Sequence, residues 1–509
     1  MKNIIKIAFL VTLLQHTSYG KANDEPRNLL MVPPGGISET AVTLLWDKTY
    51  ADSAIVSYEI FRNGKKIANT VKSNFEVRNL IASTSHTFWI VAINKAGHSS
   101  FKSNRIKIKT KSKSKLLNVL AFGANGNGVF NNTKAIQNAI DQCKQGETVY
   151  IPAGIFISGA LYLKSNMILL LAKGAVLKGS KNIADYYPYL LNRFEGWEMK
   201  TFASLLNGGK LDSKGGYHIQ NVAIKGEGTI SGGGEELASA MIKAGGKRAR
   251  GRLICLMNAK DVIIKGLNIE ESPSWTIHYI YSSRVTCQDL KISSKVENGD
   301  GIDPDSSSDC YIFNCSFDTD DDCIAIKSGK NPEGNLIAKP TNNINISECD
   351  FIKGHGISIG SEISGGIKNI NIRNCRAGNL LYGMQIKGTK ERGGFVENVV
   401  VENCELRKIT VFSSLPYNND GEAAAHPPIF KNFLFANIDM MKGDVKNPLI
   451  HLDGFEKENR TTNVQFKNIK LPSGSLVTIN NCRDIAFMFA ASSGTKPIFS
   501  ISNSSNINR

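Results

Sequence analysis

The sequence is poor in proline: it has 15 prolines among 509 residues, against 46 glycines. This ratio argues against a proline-rich linker protein and suits a structure with many tight turns. After the first residues the chain has no long apolar run, so we predict no membrane span. No cysteine precedes Cys143, which argues against a lipid-anchored N-terminus. Because 41% of the residues are hydrophobic, wholesale disorder is excluded, and the length suits two or three domains.

The chain has fewer acidic than basic residues. The chain has 61 Lys and Arg against 45 Asp and Glu, which gives a formal net charge of +16. A basic balance favours a polyanionic partner, either nucleic acid or an acidic polysaccharide, although surface lysines can also serve solubility alone.

The N-terminal residues have the pattern of a secretory signal peptide. Lys2 and Lys6 form a positive region, Ile4–Leu14 is a short apolar stretch, and small residues up to Ala22 offer a cleavage site. We assign residues 1–22 to this peptide and expect an exported protein, either periplasmic or extracellular. For such a protein the polyanionic partner is an acidic polysaccharide, and we expect no nucleic-acid partner.

Residues 27–110 have the pattern of a small β-sandwich. Three stretches within them read as strands: 42–46, 56–61 and 86–92. Asn63 and Gly64, directly after the second stretch, are a hairpin-turn signal. Together with Trp46 and Tyr58, these features resemble a fibronectin type III module.

Residues 111–116, mostly Lys and Ser, are predicted to be a linker, and residues 117–509 a second domain that repeats a short pattern from residue 221 onward. Ten segments align on a start residue that is Asn or Asp in nine cases: Asn221, Asp261, Arg284, Asp309, Asn343, Asn369, Asn398, Asn432, Asn463 and Asp484. Apolar residues follow one, three and six positions later, which indicates short strands separated by a turn. This all-β pattern predicts a parallel β-helix. A β-propeller is the alternative, but its repeats are longer and antiparallel.

The column six positions after the start residue contains stacked cysteines: Cys315, Cys349, Cys375 and Cys404. A cysteine in such an inward column acts as a small buried hydrophobe. We therefore expect mostly free, buried thiols, although the spacing between coils is near disulfide reach.

Four successive coils carry a second strand that can be aligned. When Ile302, Ile324, Ile357 and Met384 are placed in one column, another column contains Asp300, Asp322, His355 and Tyr382. Asp321 precedes Asp322 directly, and neighbouring coils lie roughly 4.8 Å apart. We therefore expect three carboxylates and an imidazole to meet on one face.

Clustered like charges cost free energy unless something uses or neutralises them. A calcium site or a simple turn would explain the acids, but calcium would not explain His355 and Lys387 beside them. Mutual repulsion raises the pKa of at least one carboxyl, which provides a general acid, and a second carboxylate can activate water. Glycoside hydrolases usually work with such a pair of one carboxylic acid and one carboxylate. We expect no metal and no cofactor.

In this order, the four motifs resemble those of glycoside hydrolase family 28, the polygalacturonase family, which are Asn-Thr-Asp, Asp-Asp, Gly-His-Gly and Arg-Ile-Lys. The stretch 118–140 resembles the cap that opens many pectin-degrading β-helices. The resemblance covers roughly residues 116–500. It implies a right-handed parallel β-helix that hydrolyses α-1,4-linked galacturonate chains by single displacement with inversion.

The resemblance also implies roles for individual residues. Asp321 is the general acid, Asp300 and Asp322 hold and activate water, His355 tunes the acid, and Lys387 binds a sugar carboxylate. The other expected substrate contacts are Tyr382, Asn298 and Gln385.

Two positions depart from the family pattern, because Gly299 replaces the usual Thr and Gln385 replaces the usual Arg. A neutral Gln cannot provide the charged fork with which Arg binds a carboxylate. Hydrolases of rhamnogalacturonan or xylogalacturonan therefore remain alternatives. A calcium-dependent pectate lyase and a non-catalytic β-helix binding protein are more distant alternatives.

Two further features favour an exo-acting enzyme, which cleaves its substrate from a chain end and not in mid-chain. Residues 42–48 resemble the corresponding stretch of bacterial exo-poly-α-galacturonosidases, which also place a fibronectin-like module before the β-helix. Residues 180–253 depart from the short coil spacing and add a basic run. We expect this insertion to wall off one end of a groove and Arg250 and Arg252 to bind terminal sugar carboxylates. The alternative is a surface loop without substrate contact.

Overall fold

The computed structural model describes residues 30–47, 55–413, 421–456, 458–490 and 497–509. The predicted signal peptide, residues 1–22, lies outside the described residues. Within them, no helix has the length and apolar character that crossing a bilayer requires.

The N-terminal part is an antiparallel β-sandwich, as predicted. Its strands are Val42–Leu45, Ile55–Arg62, Lys65–Thr70, Asn74–Val77, Ser85–Asn94, Ser99–Lys102 and Ile106–Lys109. Val42–Leu45 pairs with Asn74–Val77, and the other strands form a second sheet. Trp46 packs edge-on against Tyr58 with 5.2 Å between their ring centroids, and both residues belong to the buried core between the sheets.

The remainder is a right-handed parallel β-helix, as predicted. One of its long sheets contains fourteen strands: Leu116–Asn118, Thr148–Ile151, Met167–Leu171, Ile219–Gly226, Ala259–Lys265, Ser283–Gln288, Ser308–Phe313, Thr341–Ser347, Ile367–Arg373, Phe395–Glu405, Ile429–Asp439, Thr461–Lys470, Cys482–Phe489 and Ser505–Asn508. Each coil contributes one of these strands, and each strand pairs in parallel with its counterparts on the neighbouring coils. The inward side chains form one continuous apolar core.

The other strands complete each coil and also pair from coil to coil. They are Asn127–Asn131, Gly154–Ser158, Leu161–Leu163, Ala175–Gly179, Leu206–Gly209, Thr229–Ser231, Ile254–Met257, Asn268–Glu270, Ile277–Ile280, Lys291–Ser294, Ile302–Asp305, Ser316–Thr319, Ile324–Ile326, Asp350–Ile359, Arg376–Gly388, Ile409–Ser413, Ile450–Asp453, Leu476–Asn480 and Ile498–Ser502. The four aligned motifs lie on these strands and on the turns that precede them.

The start residue of every predicted repeat has a left-handed backbone conformation, with φ between 54° and 63°. Asn and Asp tolerate this conformation better than other residues with a Cβ, which explains why they recur at this position. The asparagine side chains also bond to one another from coil to coil: the amide of Asn398 donates to Asn369 at 3.0 Å, and that of Asn432 donates to Asn398 at 3.1 Å.

All ten cysteines are buried free thiols, as expected for most of them. Burial raises the pKa of the thiol of Cys349, and the neighbouring Cys315 acts in the same direction. The cysteines of this column therefore pack as neutral thiols, because burial disfavours the thiolate form.

In the described part of the β-helix, three α-helices and one hairpin interrupt the coils. The helices are Thr133–Gln142, which covers one end of the apolar core, Gly234–Gly245 and Glu333–Ile337. The hairpin pairs Leu190–Phe194 with Trp197–Thr201. The hairpin and the second helix lie within the predicted insertion.

The N-terminal module packs against the β-helix on the side of the fourteen-stranded sheet. Residues of the module contact four consecutive coils. The contacts are Thr43 Oγ1 with Gln288 (3.2 Å), Asn74 Nδ2 with Asn314 (3.3 Å), Ser73 N with Glu348 (2.9 Å) and Asp47 with Arg373 Nη1 (2.7 Å). Lys265, on the preceding coil, pairs with Glu76 of the module. Each of these coils therefore has its own polar attachment to the module.

Candidate active site

The strand register stacks the four motifs as predicted. Ile302 pairs with Ile324, Ile324 with Ile357, and Ile357 with Met384. The predicted column of Asp300, Asp322, His355 and Tyr382 therefore occupies consecutive coils. These are the same four coils that the N-terminal module contacts from another side.

His355 joins the two neighbouring aspartates. Its Nδ1 lies 3.0 Å from Oδ1 of Asp321 and 3.5 Å from Oδ1 of Asp322. The hydrogen bonds to Asp321 and Asp322 raise the pKa of His355 to about 9, although partial burial opposes them. Near neutral pH the ring is therefore a cation that donates to the carboxylates.

Glycine flanks His355 because the coils approach closely there. A Cβ at Gly356 would lie 2.1 Å from the carbonyl oxygen of Gly383, and its φ of +98° is unfavourable for other residues. A Cβ at Gly354 would lie 2.4 Å from Oγ1 of Thr319. The Gly-His-Gly motif thus lets the backbone bring the imidazole to Asp321.

Asp322 is a buried carboxylate with several donors. Ser358 Oγ donates to its Oδ1 at 2.6 Å, and Lys387 Nζ lies 3.3 Å from its Oδ2. Burial alone would raise the pKa of Asp322, but Lys387, His355, Lys327 and Ser358 outweigh it and hold that pKa below the ordinary value. Asp322 is therefore ionised at neutral pH.

Asp300 belongs to a second buried charge cluster, in which one ammonium faces three carboxyls. Lys327 Nζ lies 3.2 Å from Asp300, 3.5 Å from Asp303 and 3.8 Å from Glu362. The ammonium also lies 4.3 Å from the centroid of the Trp275 ring. Burial raises the pKa of Asp300 well above its ordinary value. Lys327 opposes this shift, and the nearby carboxylates reinforce it.

Asp303, Lys327 and Glu362 also belong to the site, although they are not among the residues predicted from the sequence. Asp303 and Lys327 lie within two of the aligned motifs, three residues after Asp300 and five after Asp322. Strand alternation could have marked both as outward-facing, because Asp303 lies one residue after the inward Ile302 and Lys327 lies three residues after the inward Ile324. Glu362 lies beyond the third motif, and no sequence signal marks it.

In the structure, the two arginines expected to bind substrate, Arg250 and Arg252, bond to groups of the protein itself. Arg250 and Arg252 are each 1% exposed. Arg250 donates to the carbonyl oxygen of Glu297 and to Oδ1 of Asn298, both at 2.7 Å. Arg252 donates to the backbone carbonyl oxygens of Arg250 and Arg193. Arginine suits these positions because its fork satisfies several carbonyl groups at once, and Arg250 thereby orients Asn298.

Gln385, another expected substrate contact, is also buried. It is 2% exposed, and its Nε2 donates to Oγ of Ser358 at 3.3 Å. Because Ser358 donates to Asp322, Gln385 supports that carboxylate through one intermediate. The ring of Tyr382 packs edge-on against His355 with 5.4 Å between centroids and fixes the plane of the imidazole.

The inserted hairpin places an indole beside two cations. Trp197 Nε1 donates to the carbonyl oxygen of Asn331 at 3.0 Å. Lys330 Nζ lies 4.3 Å and the Arg248 guanidinium 4.9 Å from the ring centroid of Trp197. Lys330 is buried and precedes the short third helix.

The donor atoms of Asp321, Asp322 and His355 lie within 4.8 Å of one another, close enough to face a single cation. A metal ligand must be a neutral imidazole, whereas the hydrogen bonds in this site favour the charged ring. The arrangement therefore fits a proton-transfer site, and we assign no metal ligands.

Comparison with known proteins gives three family matches along the chain. Residues 193–493 match the glycosyl hydrolases family 28, residues 116–185 match the rhamnogalacturonase A/epimerase, pectate lyase-like family, and residues 24–109 match the fibronectin type III domain.

Two relatives span nearly the whole chain. An exo-poly-alpha-D-galacturonosidase of Dickeya chrysanthemi is 26% identical over 94% of this chain and 92% of its own length. The family 28 exopolygalacturonase of Yersinia enterocolitica has a structure that matches with a TM-score of 0.85 at 26% identity, covering 95% of this chain and 99% of its own. An endo-polygalacturonase of Pectobacterium parmentieri is 28% identical over 69% of this chain and 86% of its own length.

The family match covers more than half of the chain and includes all four stacked motifs. With its acidic column, buried counter-ions and β-helix, the chain belongs to glycoside hydrolase family 28.

Proposed function

We propose that this protein is an exo-acting polygalacturonase, which hydrolyses α-1,4-linked galacturonate chains from an end by single displacement with inversion. The relatives that span nearly the whole chain are named for exo-acting galacturonan hydrolysis. The observation that carries the proposal in this chain is the contrast among the three aspartates. The side chain of Asp321 is 26% exposed, whereas those of Asp322 and Asp300 are 5% and 3% exposed.

Asp321 is the general acid in this proposal. Its Oδ1 accepts from His355 Nδ1 at 3.0 Å and from the backbone N–H of Asp322 at 2.9 Å. Because both donors meet the same oxygen, Oδ2 is left for the leaving glycosidic oxygen. His355, which is charged near neutral pH, resupplies the proton that Asp321 delivers.

Asp300 and Asp322 hold the attacking water. Asp322, which is ionised, accepts the proton of the water as the water oxygen bonds to the anomeric carbon, and Asp300 helps to orient that water. The leaving oxygen takes its proton from Asp321. The three carboxyl groups together therefore gain one proton and lose one in each turnover.

Cations recognise the substrate in this proposal. Lys387 lies at the acidic column and is partly exposed, so its ammonium can reach a sugar carboxylate as well as Asp322. Trp197 of the inserted hairpin, with Lys330 and Arg248 beside it, limits cleavage to the chain terminus in this proposal. The net charge of +16 favours the approach of a polyanion. The signal peptide expected at residues 1–22 would deliver the enzyme to pectin outside the cytoplasm.

The test is digestion of polygalacturonate in the presence of EDTA, with reducing ends, unsaturated products and viscosity followed together. We expect reducing ends without unsaturated sugars, mono- or disaccharide from the start, and a slow fall in viscosity. Early oligomers of intermediate length with a rapid fall in viscosity would show endo attack.

Proton NMR of the first product tests the stereochemistry and should show the β-anomer. Faster cleavage of rhamnogalacturonan or xylogalacturonan in parallel reactions would identify a different polymer.

A further inference from the structure

A cavity of about 550 Å³ lies beside the acidic column. His355, Leu381 and Lys408 line it from three consecutive coils, and the loop before the strand Ile450–Asp453 completes it from the next coil. Its volume falls within the range of about 300–1,000 Å³ that is usual for small-molecule sites. The cavity is therefore large enough for a sugar, and it adjoins the residues that transfer the proton in the proposed function.

The general acid determines which sugar can enter this cavity. In the proposed function Asp321 protonates the leaving glycosidic oxygen, so the sugar that keeps this oxygen lies against Asp321 and His355. His355 bonds to Asp321 at 3.0 Å and forms part of the cavity wall. The cavity is therefore placed to hold the sugar on the leaving side of the bond that is cleaved.

The side proposed for the terminal sugar lies at the other edge of the strands. Trp197 lies beside Lys330, which follows the strand Ile324–Ile326, whereas Lys408 directly precedes the strand Ile409–Ser413. Because these strands and those between them pair in parallel, positions before and after them lie at opposite edges of the sheet. A galacturonate chain that ends at Trp197 can thus cross the acidic column and reach the cavity.

Lys408 is a half-buried ammonium in the wall of this cavity. Among the described residues, no carboxylate lies within ion-pair distance of it, and burial lowers its pKa. An ammonium that has lost part of its hydration without gaining a counter-ion is costly. A carboxylate on a bound sugar would compensate this loss.

The other charged side chains that line the cavity already have partners. Lys353 pairs with Asp320 at 2.8 Å, and Lys442 pairs with Glu405. Arg407 donates to the carbonyl oxygens of Gly378 and Lys442. Asp444 accepts from the backbone N–H of Lys446 and from Nδ2 of Asn447, both at 3.1 Å. Lys408 is thus the cation of this wall that is left for a ligand.

The backbone holds Lys408 firmly at this place. Its carbonyl oxygen accepts from the N–H of Met384 at 3.0 Å, and a Cβ at Gly383 would lie 2.7 Å from the same oxygen. Glycine at position 383 therefore lets the two coils approach. Because the next residue, Ile409, points into the apolar core, Lys408 points outward.

We propose that this cavity binds the galacturonate on the leaving side of the cleaved bond, and that Lys408 is the specificity-determining residue that binds the carboxylate of this sugar. The inference rests on the proposed function and extends it to the sugar that departs. Lys387 pairs with Asp322 at the acidic column, whereas Lys408 serves the neighbouring sugar. Leu381, which is largely exposed, offers an apolar surface to the sugar ring.

Two substitutions separate substrate binding from a structural role. Lys408→Met keeps a stem of similar length but removes the charge, and we expect KM for polygalacturonate to rise about tenfold with kcat within about twofold of the wild type. Its thermal unfolding should occur at the same or a higher temperature, because the variant buries no unpaired charge. Lys408→Arg should restore most of the loss in KM. Exposed Lys173→Met is the matched control and should leave KM unchanged.

A substrate with one blocked carboxyl tests which group Lys408 recognises. The probe is a methyl trigalacturonide, compared with the same compound carrying a methyl ester on its last sugar, and the readout is release of that sugar. We expect the wild type to prefer the free acid by about tenfold in kcat/KM and Lys408→Met to lose most of this preference. A preference that persists in Lys408→Met would overturn the proposal.

Binding is measured separately from turnover. Trigalacturonate is titrated calorimetrically into Asp321→Asn and into the double variant that also carries Lys408→Met, and we expect Kd to rise about tenfold in the double variant. An unchanged Kd would overturn the role of Lys408, even in a protein that cleaves polygalacturonate. A wild type that cleaves no galacturonide would refute the proposed function, and the titration would still decide whether Lys408 binds the sugar.

Discussion

The Nδ1 atom of His355 lies 3.0 Å from Oδ1 of Asp321, so the imidazole and the most exposed carboxyl of the acidic column form a direct donor–acceptor pair. The ring also approaches Asp322, and both aspartates favour its charged form. A histidine whose pKa is raised by folding stabilises the protein fully below its unfolded pKa of about 6.5. This contribution is lost as the pH rises through about 9.

The first prediction concerns this titration. In proton NMR, the His355 ring should titrate at about 9, and its signal can be assigned from its absence in His355→Gln. In Asp321→Asn the pKa should fall toward the ordinary range, because the amide removes the negative charge that holds the proton. A His355 pKa that stays unchanged in Asp321→Asn would show that this pair is not the cause.

The second prediction concerns the acid. Asp321→Asn should reduce kcat by at least about 100-fold, because an amide cannot protonate the leaving oxygen, while binding of polygalacturonate and the unfolding transition stay close to the wild type. Asp320→Asn is the matched control, since Asp320 is the exposed neighbour and pairs with Lys353. We expect that variant to keep normal turnover, and equal activity of the two variants would contradict the assignment.

The third prediction concerns charge recognition. Lys387→Ala should raise KM for polygalacturonate by roughly tenfold or more, since one charge-assisted contact contributes about 1.5–3 kcal/mol, and kcat should fall as well because Asp322 loses a counter-ion. Added salt should weaken the wild type more than the variant. Exposed Lys173→Ala provides the control for loss of one positive charge. If both kinetic constants of Lys387→Ala match the wild type, Lys387 has no part in the site.

The fourth prediction concerns the attachment of the N-terminal module. Arg373 bonds to Asp47 of the module at 2.7 Å and to Glu402 of the next coil at 3.0 Å. Arg373→Ala leaves the buried carboxylate of Glu402 without this partner, and we expect the free energy of unfolding to fall by about 1–3 kcal/mol. Arg376→Ala removes an exposed pair with Asp350 and should cost less than about 1 kcal/mol. Guanidinium unfolding of the two variants compares them directly.

The stacking of the acidic column could be predicted from the sequence because a parallel β-helix turns spacing along the chain into neighbours in space. Once Ile302, Ile324, Ile357 and Met384 were placed in one column, Asp300, Asp322 and His355 followed. The same rule could not place Arg250, because the insertion before it does not repeat. A basic run there fits a surface loop as well as buried guanidinium groups. The role of Gln385 could not be predicted for another reason. The sequence shows only that the usual charged Arg is absent at this position, whereas the bond from Gln385 to Ser358 depends on side-chain directions.

The polar contacts between the N-terminal module and successive coils should affect the order in which the coils unfold. A solenoid frays from its ends, since each coil is held mainly by its two neighbours. The module bridges the coils that contain Gln288, Asn314, Glu348 and Arg373, so these coils cannot open singly without breaking that bridge. We expect amide hydrogens there to exchange together and slowly, and those of the C-terminal coils beyond residue 430 to exchange sooner. Proteases should therefore trim the chain from its C-terminal end while the catalytic coils persist as one cooperative block.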